Sequence, residues 1–83
     1  MTQAKNKVYY DSKFDDLTVK VREHQDIYAE EIYNNIYIYY SEEDDSIVGA
    51  QILYLSKRAD NILKKYLPTE IYNIVSDLRS NIG

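Results

Sequence analysis

Residues 36–41 read IYIYYS. Five consecutive β-branched or aromatic side chains are poor helix formers, because each loses χ1 freedom against the preceding helical turn, and they suit a pleated sheet. Alternation places Ile36, Ile38 and Tyr40 on one face of this strand and Tyr37 and Tyr39 on the other. A lone strand leaves its backbone N–H and C=O groups unpaired, so the chain around it has to supply partners.

The neighbouring sequence does so. KVYY at 7–10 is a short apolar run closed by the turn formers Asp11 and Ser12. In LTVKVR, Leu17, Val19 and Val21 alternate with Thr18, Lys20 and Arg22, the period of a strand with one buried face. IYAEEIY at 27–33 contains both helix and strand formers; the Asn34-Asn35 pair that follows can supply positive φ for a tight hairpin and favours strand. After the acidic turn SEEDDS, residues 47–55 (IVGAQILYL) make the longest strand, with Gly49 marking a bulge or a close backbone approach.

The pattern then changes period. Ser56 can cap a first helix over 57–67, with Ala59, Ile62, Leu63 and Tyr66 on one stripe, until Pro68 stops it. Thr69 and Glu70 can open a second helix over 70–82, with Ile71, Ile74, Val75, Leu78 and Ile82 in line. Strands followed by helices predict a single α+β domain: an antiparallel four- to five-stranded meander sheet with two C-terminal helices. A chain of 83 residues has room for one small core.

Two stretches resemble the bacterial domain-of-unknown-function family numbered 2283. They are YDSKFDDLTVKV at 10–21 and IVGAQILYLSKR at 47–58; with YIYYSEEDD between them the resemblance covers residues 8–58. Members usually carry an aspartate at the end of the strand before the acidic turn, where this chain has Tyr39-Tyr40-Ser41, and an acid between Leu and Ser of the last strand, where it has Tyr54. The resemblance implies a small accessory protein with no established activity, of a kind that sits in what resemble toxin–antitoxin pairs.

The remaining chemistry is sparse. With no cysteine there is no disulfide and no thiolate site, and two isolated glycines cannot build a phosphate loop. The sole histidine, His24, lies in a polar turn. Glu42, Glu43, Asp44 and Asp45 lack the alternate spacing that would converge on a cation, and Asp11 suits a turn-holding role. No cofactor and no metal are expected. The N-terminal MTQAKNKVYYDSK contains no apolar signal core and no long apolar run follows, so the expected setting is cytoplasmic, without membrane.

Two features could recognise a partner. Ten tyrosines are many for this length, and Tyr28, Tyr37, Tyr39 and Tyr54 can line one sheet face, either under the helices or as an exposed surface. On a helix over 57–67, Lys57 stacks above Lys64 and Arg58 above Lys65, opposite the apolar stripe, giving a basic strip in a chain of net charge −4. These readings predict a non-enzymatic protein-binding module, an antitoxin-like inhibitor or accessory protein whose protein partner could be a toxin. Open sheet edges with few blunting devices predict a homo-oligomer. The alternative is a nucleic-acid-associated regulator that uses the basic strip and nearby tyrosines.

Overall fold

The computed structural model describes residues 7–23 and 26–82, with the side chain of Ile82 outside that set. Five strands form one antiparallel sheet: β1 (Lys7–Asp11), β2 (Asp16–Lys20), β3 (Ile27–Tyr33), β4 (Ile36–Ser41) and β5 (Ile47–Leu53). A single 3₁₀ turn at Leu55–Lys57 leads to α1 (Asp60–Tyr66) and α2 (Thr69–Ile82). The fold class is the one the sequence predicts, including the strand character of residues 27–33.

Spatial order across the sheet is β1-β2-β5-β4-β3. Hairpin β1–β2 and the three-stranded unit β3–β4–β5 each follow chain order, and β5 closes against β2. The β2–β3 link is the one connection whose strands do not pair. It leaves β2 at Val21, whose N–H donates to the Val48 carbonyl at 2.7 Å, and reaches β3 after Asp26, whose carbonyl accepts from Glu42 N–H at 2.9 Å. It thus passes the ends of β5 and β4, the long return of a Greek key.

Gly49 makes the β2–β5 join possible. A Cβ there would fall well inside contact distance of the Val19 carbonyl oxygen and within 3.0 Å of Lys20 Cα. The register between β4 and β5 also shifts here, Tyr39 facing Gly49 and Tyr40 facing Ile47, so Val48 is the extra residue of a bulge. Both meanings that a glycine inside a strand can carry are realised at one position.

The core is one cluster between sheet and helices. Leu17, Val19 and Val21 from the β2 side, Ile36 and Ile38 from β4, and Ala50 and Ile52 from β5 meet Leu55, Leu63, Leu67, Ile71 and Val75. The alternation read in the sequence is the alternation buried. In α2, Ile71 and Val75 are buried and Ile74 and Leu78 half-buried, as their spacing predicts.

The first helix is shorter than its pattern. It starts at Asp60, with Ala59 in the N-cap position and no side-chain cap, and ends at Tyr66. Ser56 caps nothing: it sits inside the 3₁₀ turn, and Ala59 is exposed. Between the 3₁₀ turn and α1 the chain is extended at Arg58 (φ −82°, ψ 135°) and Ala59 (φ −70°, ψ 139°), so no helix can run through 57–59. Gly49→Ala should lower stability by about 1–3 kcal/mol, because two backbones must separate rather than one side chain rotate. A thermal melt showing the variant unchanged would remove the close-approach explanation.

Candidate functional site

Both helices pack on the sheet face that carries Leu17, Ile38 and Ile52, so the alternate residues form the opposite face, uncovered among the described residues. The pairings order them into rows across the strands. Lys7, Lys20, Gly49, Tyr39 and Ala29 make one outer row; Tyr9, Thr18, Gln51, Tyr37 and Glu31 make the middle row; Asp11, Asp16 and Leu53 make the other outer row. Tyr37 and Tyr39 therefore share the uncovered face, half-buried by their neighbours. Tyr9 joins them with 60% of its surface exposed.

A polar chain spans three strands of this face. The Tyr39 hydroxyl donates to Gln51 Oε1 at 2.9 Å, and Gln51 Nε2 donates to both carboxylate oxygens of Asp16 at 3.1 Å. Burial, then the Asp16 charge, pushes the Tyr39 hydroxyl above its ordinary value, so it stays a donor. The chain fixes Tyr39 and leaves Tyr37 beside it without a polar anchor among the hydrogen bonds of this face.

Tyr28 and Tyr54 belong elsewhere. Tyr28 pairs with Tyr40, on the helix-covered side at the sheet edge, where their rings stack at 5.3 Å. Its hydroxyl donates to Asp45 Oδ1 at 2.8 Å, which together with burial holds its proton up to about 12. Tyr54 lies beyond the last strand, half exposed at 50%, in a conformation that costs a non-glycine residue about 1–2 kcal/mol.

The turn at Tyr54 is clamped to the β1–β2 loop. Asp15, itself left-handed at φ 54°, accepts from Tyr10 Oη at 2.7 Å, Ser56 Oγ at 2.7 Å and Ser56 N–H at 3.1 Å, while its carbonyl accepts from Leu55 N–H at 3.1 Å. Partial burial pushes the Asp15 carboxyl up, but the bonds from Tyr10 and Ser56, with the nearby Lys57 charge, outweigh it and hold the group below its usual range. The clamped loop carries Phe14, 64% exposed, at the same end of the sheet as Tyr54. Sequence reading passed over Phe14; a lone phenylalanine amid SKFDD was the available signal.

The basic strip does not form as one helix face. Lys57 and Arg58 precede α1, so they do not stack over Lys64 and Lys65. Arg58 is drawn inward, donating to the Leu53 carbonyl at 3.0 Å and the Asn34 carbonyl at 2.6 Å, and its own carbonyl accepts from Arg79 at 2.8 Å. Lys57, Lys64 and Lys65 are exposed, with Lys65 5.4 Å from the Tyr66 ring, which stacks on Tyr33 at 4.6 Å. Leu63 of α1 belongs to the core cluster, so Lys64 and Lys65 lie on the helix side, away from Tyr37 and Tyr39.

The acidic turn is held by its own groups. Glu43 N–H donates to the buried Ser41 Oγ at 3.1 Å and Ser46 N–H to Asp44 Oδ1 at 3.0 Å, while Asp45 supplies the left-handed residue at φ 60°. Asp11 holds its turn through Lys13 N–H at 3.0 Å. No group of three or more metal-ligating side chains comes together among the described residues, and His24 lies outside them. No helix among the described residues is long and apolar enough to cross a membrane.

No family model, curated protein or solved structure significantly matches the chain.

Two outcomes follow from this geometry. A carboxylate held below its ordinary value adds stability above about pH 4, which is lost as pH falls through the depressed value. Asp15→Asn keeps a residue that tolerates the left-handed turn, and should cost about 1 kcal/mol at pH 7 and flatten the acid limb of a melting-against-pH curve. An unchanged limb would show that the clamp does not depend on charge. Lys64→Glu with Lys65→Glu should shift stability by no more than about 1 kcal/mol in a denaturant titration, since both are solvated.

Proposed function

We propose that this chain is a non-enzymatic protein-binding module, an antitoxin-like inhibitor or accessory protein, that meets its partner through the uncovered sheet face. The observation that supports this reading is the distribution of aromatics. Both helices cover one face, and the other still carries Tyr9, Tyr37 and Tyr39 in adjacent rows. Tyr is enriched at interfaces because it offers apolar area with few rotatable bonds and a hydroxyl that tolerates a wet rim. The Tyr39–Gln51–Asp16 chain pre-orders part of that surface, which reduces what binding must immobilise.

The nucleic-acid reading draws on Lys64 and Lys65 beside the stacked Tyr33 and Tyr66. It is the weaker of the two. The charges of the uncovered face, Lys7 and Lys20 against Asp11, Asp16 and Glu31, sum to −1 and do not favour phosphate. With Arg58 drawn inward and Lys57 set apart before α1, the strip leaves Lys57 and the adjacent Lys64 and Lys65 for backbone contacts, not one continuous face.

Affinity capture from the native host, followed by titration of the captured protein, tests the proposal. Tyr37→Ser should weaken binding by about tenfold or more while the melt changes little, the behaviour of an interface anchor. Tyr54→Gly serves as the comparison. It relieves the left-handed strain, should leave stability equal or higher by up to about 1 kcal/mol, and should leave binding through the face intact. Binding that ignores Tyr37→Ser, yet falls with Lys64→Glu plus Lys65→Glu in a salt-sensitive way, would favour the nucleic-acid reading instead.

A further inference from the structure

The two outer rows of the uncovered face carry opposite charge at matching positions. On β1 and β2, one row has Lys7 and Lys20 and the other has Asp11 and Asp16, with Tyr9 and Thr18 between them. On β5, the first row has Gly49 and the other has Leu53, with Gln51 between. A two-fold axis that lies along the middle row, between two facing sheets, exchanges the outer rows. It sets each lysine over an aspartate of the other copy and each Leu53 over the other copy's Gly49. Cation meets anion and a projecting side chain meets the position that has none.

Resting on the reading of this face as a protein-binding surface, we propose that its partner is a second copy of this chain, docked face to face about that axis. A two-fold interface must be complementary to itself, and the charge order on β1 and β2 has that property. Facing sheets pack about 10 Å apart, a gap that lysine side chains bridge. The middle row meets itself, which sets Tyr37 of both copies beside the central Gln51 pair and Tyr9 over its own copy at the β1 edge. Glu31 also meets its own copy, but at the β3 edge and with its carboxylate occupied by Asn35 N–H at 2.8 Å. Lys7 already pairs with Glu23, and Asp16 with Gln51, so dimer contacts share groups rather than replace bare ones.

Edge pairing through β3 is less favourable. The outer edge of β3 is interrupted by a bulge between Glu31 and Tyr33 and carries Glu30 and Glu31, both of which oppose strand addition. The face is small. Five strands about 4.8 Å apart and five residues deep bury less than about 1,200 Å² across both copies, the size of weak, transient contacts.

Sedimentation equilibrium of the full chain from about 10 μM to 1 mM reads the association directly. The expected result is a dimer whose dissociation constant rises several-fold between about 0.05 and 0.5 M salt. Lys20→Asp alone and Asp16→Lys alone each set like charges opposite one another, and each should weaken association at least about tenfold. An equal mixture of the two variants restores opposite charges at both contacts, and should associate to within about threefold of the parent. Circular dichroism verifies folding first. If Asp16→Lys does not fold, Thr18→Arg replaces it, since Thr18 lies on the axis and the change should abolish the dimer. A monomer throughout the range overturns the self-docking proposal but leaves capture of a different protein, lost with Tyr37→Ser, intact. A dimer indifferent to Lys20→Asp and Thr18→Arg also overturns it, placing association at an edge.

Discussion

The contact between β2 and β5 holds the molecule together. Without it the β1–β2 hairpin has no sheet to join, and a free two-stranded hairpin is marginal in water. Leu17 and Val19 enter the core only because β2 lies beside Ala50 and Ile52. Gly49 sets how close the two backbones come, and the bulge at Val48 lets its carbonyl receive Val21 N–H as β2 ends. The uncovered face inherits its middle from the same join, since Thr18 and Gln51 are partners across it.

The strands were legible because each carries its own signal. Alternation in LTVKV, the β-branched and aromatic run IYIYY, and the Asn-Asn turn each act locally, and Asn35 does take positive φ. The helix-facing stripe of α2 was legible for the same reason. Pairing of β2 with β5 was not, because it depends on which surfaces fit across the sheet and on a backbone approach that a glycine permits without announcing its partner.

The misread helix start has a specific cause. Ser56 has the chemistry of a cap, but Asp15 claims it from the other hairpin, and nothing local predicts a left-handed tyrosine at position 54. Once α1 begins at Asp60, the seven-residue spacing between Lys57 and Lys64 loses its meaning, and Arg58 becomes a strap across the β3–β4 turn rather than part of a basic strip. Tyr28 lies on the face opposite Tyr37 and Tyr39 because it pairs with Tyr40, not with Tyr39. A tyrosine pattern tells which residues share a strand face, but register decides which strands contribute to it.

The long return between β2 and β3 also orders events in time. Asp16 and Gln51, joined across the sheet, are 35 apart in the chain. During synthesis at about 5–20 residues per second, the β1–β2 hairpin emerges several seconds before the strand that receives it. Until then Leu17 and Val19 have no apolar layer to enter. The unit β3–β4–β5, built from adjacent turns, can form as soon as its last strand is available, and the earlier hairpin then docks onto the finished edge. The part of the chain made first waits for the last strand, and the helices that follow close the core over both.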